Sequence, residues 1–276
     1  MSRTEIPHPA VVVGIDGSQA ALRAAEWAVD EAVSREIPLR LVHTIATQVE
    51  PAPFSAVGNV NMEVEYAETA LRVAGMAVTA TGKPVKVETE VLRGDPAAML
   101  IAESSDAAMI CIGSTGIGRL ARALLGSTAA EVAEAADCPV AIIRSHEGRP
   151  TPLSPLIVAA VNDSAGSDLV VDVAIKEAKL RQMPILAVEV SRKETDRLPS
   201  GELEHRVQSW NASHPDVEIY GAATRDDIAN FLAATNRTIN LAVIGGGDAD
   251  HVANLIGPHD HPVIGHAECS VLVARS

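Results

Sequence analysis

Two stretches far apart in this chain carry one pattern. Val11-Val12-Val13-Gly14-Ile15-Asp16-Gly17-Ser18 is echoed by Ile157-Val158-Ala159-Ala160-Val161-Asn162-Asp163-Ser164. The closing segments agree as well, since Ala136-Asp137-Cys138-Pro139-Val140-Ala141-Ile142-Ile143-Arg144 parallels Ala267-Glu268-Cys269-Ser270-Val271-Leu272-Val273-Ala274-Arg275. An internal repeat constrains a fold more than any local propensity, because the same supersecondary order must be built twice. At 276 residues the chain fits two domains of about 140 residues each. The proline-rich run 150–155 is the expected linker, which puts the domains at 1–148 and 149–276.

Within the first copy, apolar runs at 11–15, 39–45, 85–91, 109–112 and 140–143 alternate with longer helical stretches. Aromatic residues make up only 2% of the chain, so Val, Ile, Leu and Ala must fill the cores, a composition that suits helices packed on parallel strands. The alternation predicts a doubly wound parallel α/β sheet. In the first helix, Leu22, Ala25, Val29, Ala32 and Val33 recur at spacings of three and four, with Arg23 and Asp30 on the opposite face. Asp95-Pro96 predicts an N-cap followed by proline at the first helical position, opening a helix through Ser104. Residues 47–61, with little periodicity and several prolines and glycines, read as a loop. The second copy repeats the order, with strands near 156–161, 184–190, 217–221, 241–245 and 270–274.

The spacing Gly113-x2-Gly116-x9-Gly126-Ser127 lies between the strand 109–112 and an alanine-rich helix at 128–136. Strand, glycine loop and helix form a phosphate-binding layout. Glycines let backbone N–H groups approach an anion, and the free N–H groups and partial positive charge of a helix start favour negative ligands. Ser127 is expected to serve both as helix cap and as hydroxyl donor.

These residues resemble the nucleotide-binding signature of the universal stress protein family in its ATP-binding branch, whose pattern of glycines closed by Ser or Thr is met at every position. The run Cys138 to Arg144 is similar to that family's last strand. The resemblance covers nearly all of the first half and, more weakly, the second. It implies two tandem doubly wound parallel five-stranded sheets of the adenine nucleotide alpha hydrolase-like kind, each in the order 3-2-1-4-5. In that order the crevice at the carboxyl ends of the strands lies between the first strand and the fourth. By the same resemblance, Gly14, Ile15 and Asp16 border adenosine, with the Asp16 carboxylate accepting from base or ribose. Thr44, just after the second strand, meets adenine through its backbone. Gly113, Thr115 and Gly116 line the ribose and phosphates, and Gly126, Ser127 and Thr128 donate to phosphates. Arg119 and Arg122 either add charge-assisted contacts to the phosphate tail or point into water. The implied ligand is ATP, with magnesium or manganese as the accompanying ion, and a Gly113→Glu change is expected to fill the phosphate path.

Plainer readings stand beside these. Asp16-Gly17-Ser18 also suits a turn and N-cap alone, and Gly126-Ser127 a helix cap alone. A formal net charge of −14, from 36 acidic and 22 basic residues, repels nucleic acid and acidic membrane surfaces. Three cysteines without metal-ligand spacing fit reduced thiols in the cytoplasm, and no apolar leader or membrane-length run is present.

No GxxxxGK[ST] loop occurs, so the phosphate-binding lysine of that motif is missing. Gly116, Gly118 and Ala121 fit a dinucleotide GxGxxA pattern superficially, after the wrong strand. His259-Asp260-His261, with His251, His266, Asp248 and Asp250, forms a weak metal pattern, for which a solvated loop replacing a lost phosphate site is the competing account.

The second copy departs from the motif. Asn162 stands where Asp16 does, Gly245-Gly246-Gly247-Asp248-Ala249-Asp250 replaces the glycine loop, and Pro258 follows Gly257 where Ser127 follows Gly126. One nucleotide per chain is therefore expected, in the first domain. The resemblance implies a nucleotide-dependent regulator of stress or growth without fast catalysis. A slow ATPase or nucleotidyl-transfer enzyme, and an interaction module needing no turnover, are the alternatives. It also implies a homodimer with additional pairing of the two domains within a chain, and a regulatory protein partner. The apolar last strands 140–143 and 271–274 are suited to edge pairing, or are apolar only because both sheet faces are covered.

Overall fold

A computed structural model describes residues 9–46, 56–116, 125–144, 155–162, 166–190, 200–235, 239–252, 255 and 269–276. The chain divides into two compact units, one holding the first five strands and the other the last five. In the first unit the order along the chain is β1 (Val11–Gly14), α1 (Gln19–Arg35), β2 (Leu39–Ile45), α2 (Ala56–Ala80), β3 (Val87–Arg93), α3 (Pro96–Ser104), β4 (Met109–Gly113), α4 (Ser127–Ala135) and β5 (Val140–Ile143). The strands lie side by side as β3-β2-β1-β4-β5, and every pairing is parallel. The second unit runs β6 (Leu156–Val161), α5 (Gly166–Arg181), β7 (Ile185–Val190), α6 (Ser200–Ser213), β8 (Ile219–Thr224), α7 (Ile228–Ala234), β9 (Ile239–Gly245) and β10 (Ser270–Ala274). Its strands pair in parallel as β8-β7-β6-β9-β10. Both units are thus doubly wound with the expected order 3-2-1-4-5.

Central strands are aliphatic because helices cover both their faces. Val11, Val12, Val13, Leu39, Leu41, Ile110, Cys111, Ala141 and Ile142 are all buried. Against them α1 turns an alanine face, Ala20, Ala21, Ala24, Ala25, Ala28 and Ala32. Leu22 and Val33, expected on that face, are half-buried at its margin. Small side chains let the helix axis approach the sheet, and the Gly113 backbone occupies the space so gained.

The two units share a device at the end of their first helix. Glu31 is wholly buried and pairs with Arg35 at 2.6 Å, and the buried Glu177 pairs with Arg181 at 2.9 Å. The next residue is left-handed in each case, Glu36 at φ 55° and Gln182 at φ 54°. Ile37 N–H then returns to the Ala32 carbonyl and Met183 N–H to the Ala178 carbonyl, both at 3.1 Å. This Schellman-like closure satisfies carbonyls that a helix end leaves open, and Pro38 or Pro184 stops the helix. One constant shift along the chain carries each residue of the first set to its counterpart.

Four expectations are corrected. Residues 56–61, read as loop, form the start of α2, while 47–55 lie outside the described residues. A single interior glycine such as Gly58 costs a helix only about 1 kcal/mol, which the packing of α2 on α1 and β2 offsets. Strand β3 begins two residues later than read, because Val85 N–H folds back to the Lys83 carbonyl at 3.0 Å. Likewise β8 starts after Val217, whose N–H is held by the His214 carbonyl at 3.1 Å. The 246–251 segment, read as a solvated loop, is a short 3-10 helix.

Candidate functional site

The site is built on the turn that follows β1. Gly17 has φ +89°, and a side chain there would strike the Tyr66 hydroxyl, so the tight turn requires glycine. Asp16 is half-buried, and its Oδ1 accepts from Ser18 N–H at 2.9 Å. Ser18 caps α1 by accepting from Ala21 N–H at 3.1 Å, and its hydroxyl donates to the Thr115 carbonyl at 3.3 Å. A capping residue of β1–α1 is therefore tied directly to the glycine loop after β4.

That loop lies against the same carboxylate. A β-carbon built on Gly116 would stand 2.9 Å from Asp16 Oδ2, so the second carboxylate oxygen faces the Gly116 backbone. Gly126 N–H reaches back to the Ser114 carbonyl at 3.0 Å, and a β-carbon on Gly126 would be 4.0 Å from Gly116 nitrogen. Asp16, Thr115, Gly116 and Gly126 thus converge at the carboxyl ends of β1 and β4. The N-cap of α4 is Gly126, which makes no side-chain capping bond. Ser127 is not the cap, as expected from sequence, but the first helical residue, exposed, with Thr128 half-buried behind it. Ala130 N–H is the first to find an intrahelical acceptor, the Gly126 carbonyl at 3.0 Å. The amides of Ser127, Thr128 and Ala129 are those that an α-helix leaves without an intrahelical partner, and they face the dipole's positive end.

Other expected residues have packing duties. A β-carbon on Gly113 would lie 2.7 Å from the Ala20 carbonyl carbon and 2.8 Å from Ala21 nitrogen. Its missing side chain therefore admits the start of α1, and a glutamate there would displace the helix and not merely fill a phosphate path. Gly14 faces Leu100, with 3.1 Å from its built β-carbon to Leu100 Cδ1. Ile15 is buried, its N–H bonded to the Val42 carbonyl at 2.8 Å and its carbonyl to His43. Thr44 is the penultimate residue of β2, not a residue beyond it, in register with Leu92 of β3. Arg119, Arg122 and the histidines 259, 261 and 266 lie outside the described residues.

Two neighbours were missed by sequence reasoning. His43 is buried, and its Nδ1 is 2.7 Å from the Ile15 carbonyl oxygen. Tyr66, on α2, donates its hydroxyl to the Asp16 carbonyl at 2.9 Å and packs edge-on to His43, with ring centroids 5.8 Å apart. With Thr44, Ala46 and Met62 they line a cavity of about 340 Å³ beside the turn, a size within the range of small-molecule sites. The available signal was scarcity, because Tyr66 is one of two tyrosines in the chain and His43 interrupts an aliphatic strand.

Among the described residues no group of three or more His, Cys, Asp or Glu is placed to hold a metal ion, and no helix is long and apolar enough to cross a membrane.

Comparison with known proteins places this geometry. The model of the universal stress protein family matches residues 9–144. A universal stress protein of Mycobacterium tuberculosis is 49% identical over 265 residues, covering 96% of each chain. Another from the same organism is 40% identical over 277 residues, covering 98% of this chain and 97% of its own. Among solved structures, a universal stress protein from Archaeoglobus fulgidus superposes with a TM-score of 0.71 over 96% of both chains at 18% identity, a likeness of fold.

Proposed function

The chain belongs to the universal stress protein family, and we propose that its first unit binds ATP at the carboxyl ends of β1 and β4. The observation that carries this reading is the meeting of the Asp16 carboxylate, the Thr115–Gly116 loop and the uncapped start of α4. The α4 amides suit phosphate oxygens. The Asp16 carboxylate, an acceptor only, suits hydroxyl or amino donors of adenosine. The absence of a side-chain cap on Gly126 supports the fit, since a cap would occupy the amides that phosphate needs. The accompanying magnesium or manganese ion would take its ligands from phosphate oxygens and water, because no acidic cluster is placed for it among the described residues.

The second domain, taken as 149–276 against 1–148 for the first, serves as a degenerate partner without a nucleotide. The protein is read as a cytoplasmic dimer that acts as a nucleotide-dependent regulator of stress or growth, without fast turnover. Equilibrium titration with ATP, together with mass analysis of small molecules released from the denatured protein, tests the reading. One equivalent of adenine nucleotide per chain is expected. No binding, or two equivalent sites, overturns it.

A further inference from the structure

We propose that the outer face of α2 is where two copies of this chain meet, as an antiparallel helix pair closed by Glu65 of each copy against Arg72 of the other. This gives a surface to the dimer reading above and rests on it. The observation that carries it is a seam. Met62, Tyr66, Thr69, Val73, Met76 and Ala80 recur at alternating spacings of four and three, and all six are exposed. At about 100° per residue they share a strip about 80° wide, the pattern by which one helix packs into the holes of another. Apolar exposure is concentrated there. Of the five large hydrophobic residues exposed among the described residues, four lie on α2: Met62 at 67%, Tyr66 at 46%, Val73 at 44% and Met76 at 66%. Helix α6 holds the corresponding place in the second unit and exposes none among its described residues, so the strip is not a requirement of the fold. Contiguous apolar exposure of this kind marks an interaction surface. A groove of about 580 Å³, lined by Arg72, Gly75, Met76, Thr79, Ala80 and Val87, opens beside the strip and gives the side chains of a second helix room to enter.

Charge selects the occupant and the register. Glu65 and Arg72 stand one heptad apart on the same flank of the seam, both exposed. Within its own chain Arg72 donates to the Thr69 hydroxyl at 3.2 Å, and neither residue enters an ion pair among the described residues. In an antiparallel pair this flank meets the same flank of the other copy. With Tyr66 opposite Thr69 and Val73 opposite Met62, each Glu65 faces Arg72 of the second copy, twice by symmetry. Sliding the pair one heptad either way sets like charges together, Arg72 on Arg72 or Glu65 on Glu65. A parallel pair sets the flank against Ala70 and Ala77, which carry no charge. The buried side of α2, Ala67, Ala70, Leu71, Ala74 and Val78, centres about 135° around the helix from the seam, so the two bodies diverge from the contact without colliding.

Sedimentation equilibrium of the full chain over a concentration series tests this, with helix content, melting temperature and ATP binding measured on every variant. Val73→Glu puts a charge into the seam at a residue that lines neither the cavity nor the crevice, and should weaken self-association about 100-fold. Glu65→Arg and Arg72→Glu each replace two attractions with two repulsions and should each weaken it about tenfold. Combining the two reversals restores both pairs with their signs exchanged and should return association to within about twofold of the parent. If Val73→Glu alters the helix content, the charge reversals, which leave the seam intact, decide. Undiminished association of a folded Val73→Glu, or a double reversal no tighter than the single ones, overturns this surface and leaves the dimer reading in place. A parent that stays monomeric at millimolar concentration overturns both.

Discussion

Asp16 and Asn162 hold the same place, just past the first strand of their units, and their surroundings differ in one consistent direction. Asp16 gives one oxygen to Ser18 N–H and keeps the other beside Gly116. Asn162 is gathered onto its own helix: the buried Ser167 hydroxyl lies 2.8 Å from its N–H, 2.7 Å from its carbonyl and 2.9 Å from its side-chain oxygen. The pairings of Val11 with Leu39 and of Ile157 with Ile185 put Glu189 where the first unit has His43, and both side chains are buried. Beyond β4 comes the loop at Thr115–Gly116, while beyond β9 comes a 3-10 helix carrying Asp248. The helix-ending devices around Glu31 and Glu177 are the same in both. Divergence is concentrated at the carboxyl ends of the strands, where a ligand would sit, and is absent where the scaffold closes its helices.

The comparison breaks most readily at the ends of β4 and β9. Gly113→Ala drives a β-carbon into the Ala20 and Ala21 backbone, which cannot yield as a flexible side chain would. A loss of about 3 kcal/mol is expected, at the upper end for overpacking. At the counterpart, Gly245, the nearest atom to a built β-carbon is Val170 Cγ2 at 3.7 Å, an ordinary contact, and φ is −77°. Gly245→Ala should therefore be neutral or stabilising by about 0.5 kcal/mol. Urea unfolding of the two variants decides the matter, and equal costs would show that the two strand ends are packed alike after all.

Exchanging the residues after the first strands sharpens the contrast at the level of ligand. Asp16→Asn keeps an oxygen for Ser18 N–H and so preserves the turn, while removing the charge. ATP affinity is expected to fall about tenfold, the difference between a charged and a neutral acceptor. Asn162→Asp should add no second site, because the buried Glu189 and the Asp248 turn still occupy the other positions. Calorimetry of both variants measures it, and a second equivalent of ATP in Asn162→Asp would mean that one residue alone separates the units.

Much of this contrast is legible in the amino-acid sequence. Strands 39–45, 140–143, 156–161 and 270–274 coincide with the structure because dense aliphatic runs bounded by turns have few other uses. Asp95-Pro96 located the start of α3 for the same reason, a local chemistry with one outcome. What failed was whatever tertiary contact decides. Nothing in the sequence around Val85 announces its bond to Lys83, and the start of α2 depends on packing that overrides a glycine. The glycine motif marked the region of the site, but the assignment of Ser127 as cap was an inference from spacing, one residue away from the Gly126 cap that the helix start adopts. Tyr66 reaches Asp16 from 50 residues away, and its role emerges only once α2 is folded against the turn. His43 looked like one more strand residue until the carbonyl opposite it was identified.

The smallest effect tests what the two units share. Asp95 caps α3 by accepting from Ala98 N–H at 2.9 Å, and Asp227 caps α7 by accepting from Asn230 N–H at 2.7 Å. Each cap follows the third strand of its unit. Asp95→Ala and Asp227→Ala should each cost about 1 kcal/mol, the usual loss for removing a capping oxygen. The Asp227 variant should lie slightly higher, since its other oxygen also accepts from the Asn230 side chain at 3.0 Å. Asp→Asn at either site should restore most of the loss, because asparagine supplies the same acceptor. Native-state hydrogen exchange assigns each loss to its own helix. A cap worth nothing in one unit and about 1 kcal/mol in the other would extend the divergence from the rim of the strands into the scaffold, and the duplication would then have been relaxed throughout its second copy and not only where a ligand is held.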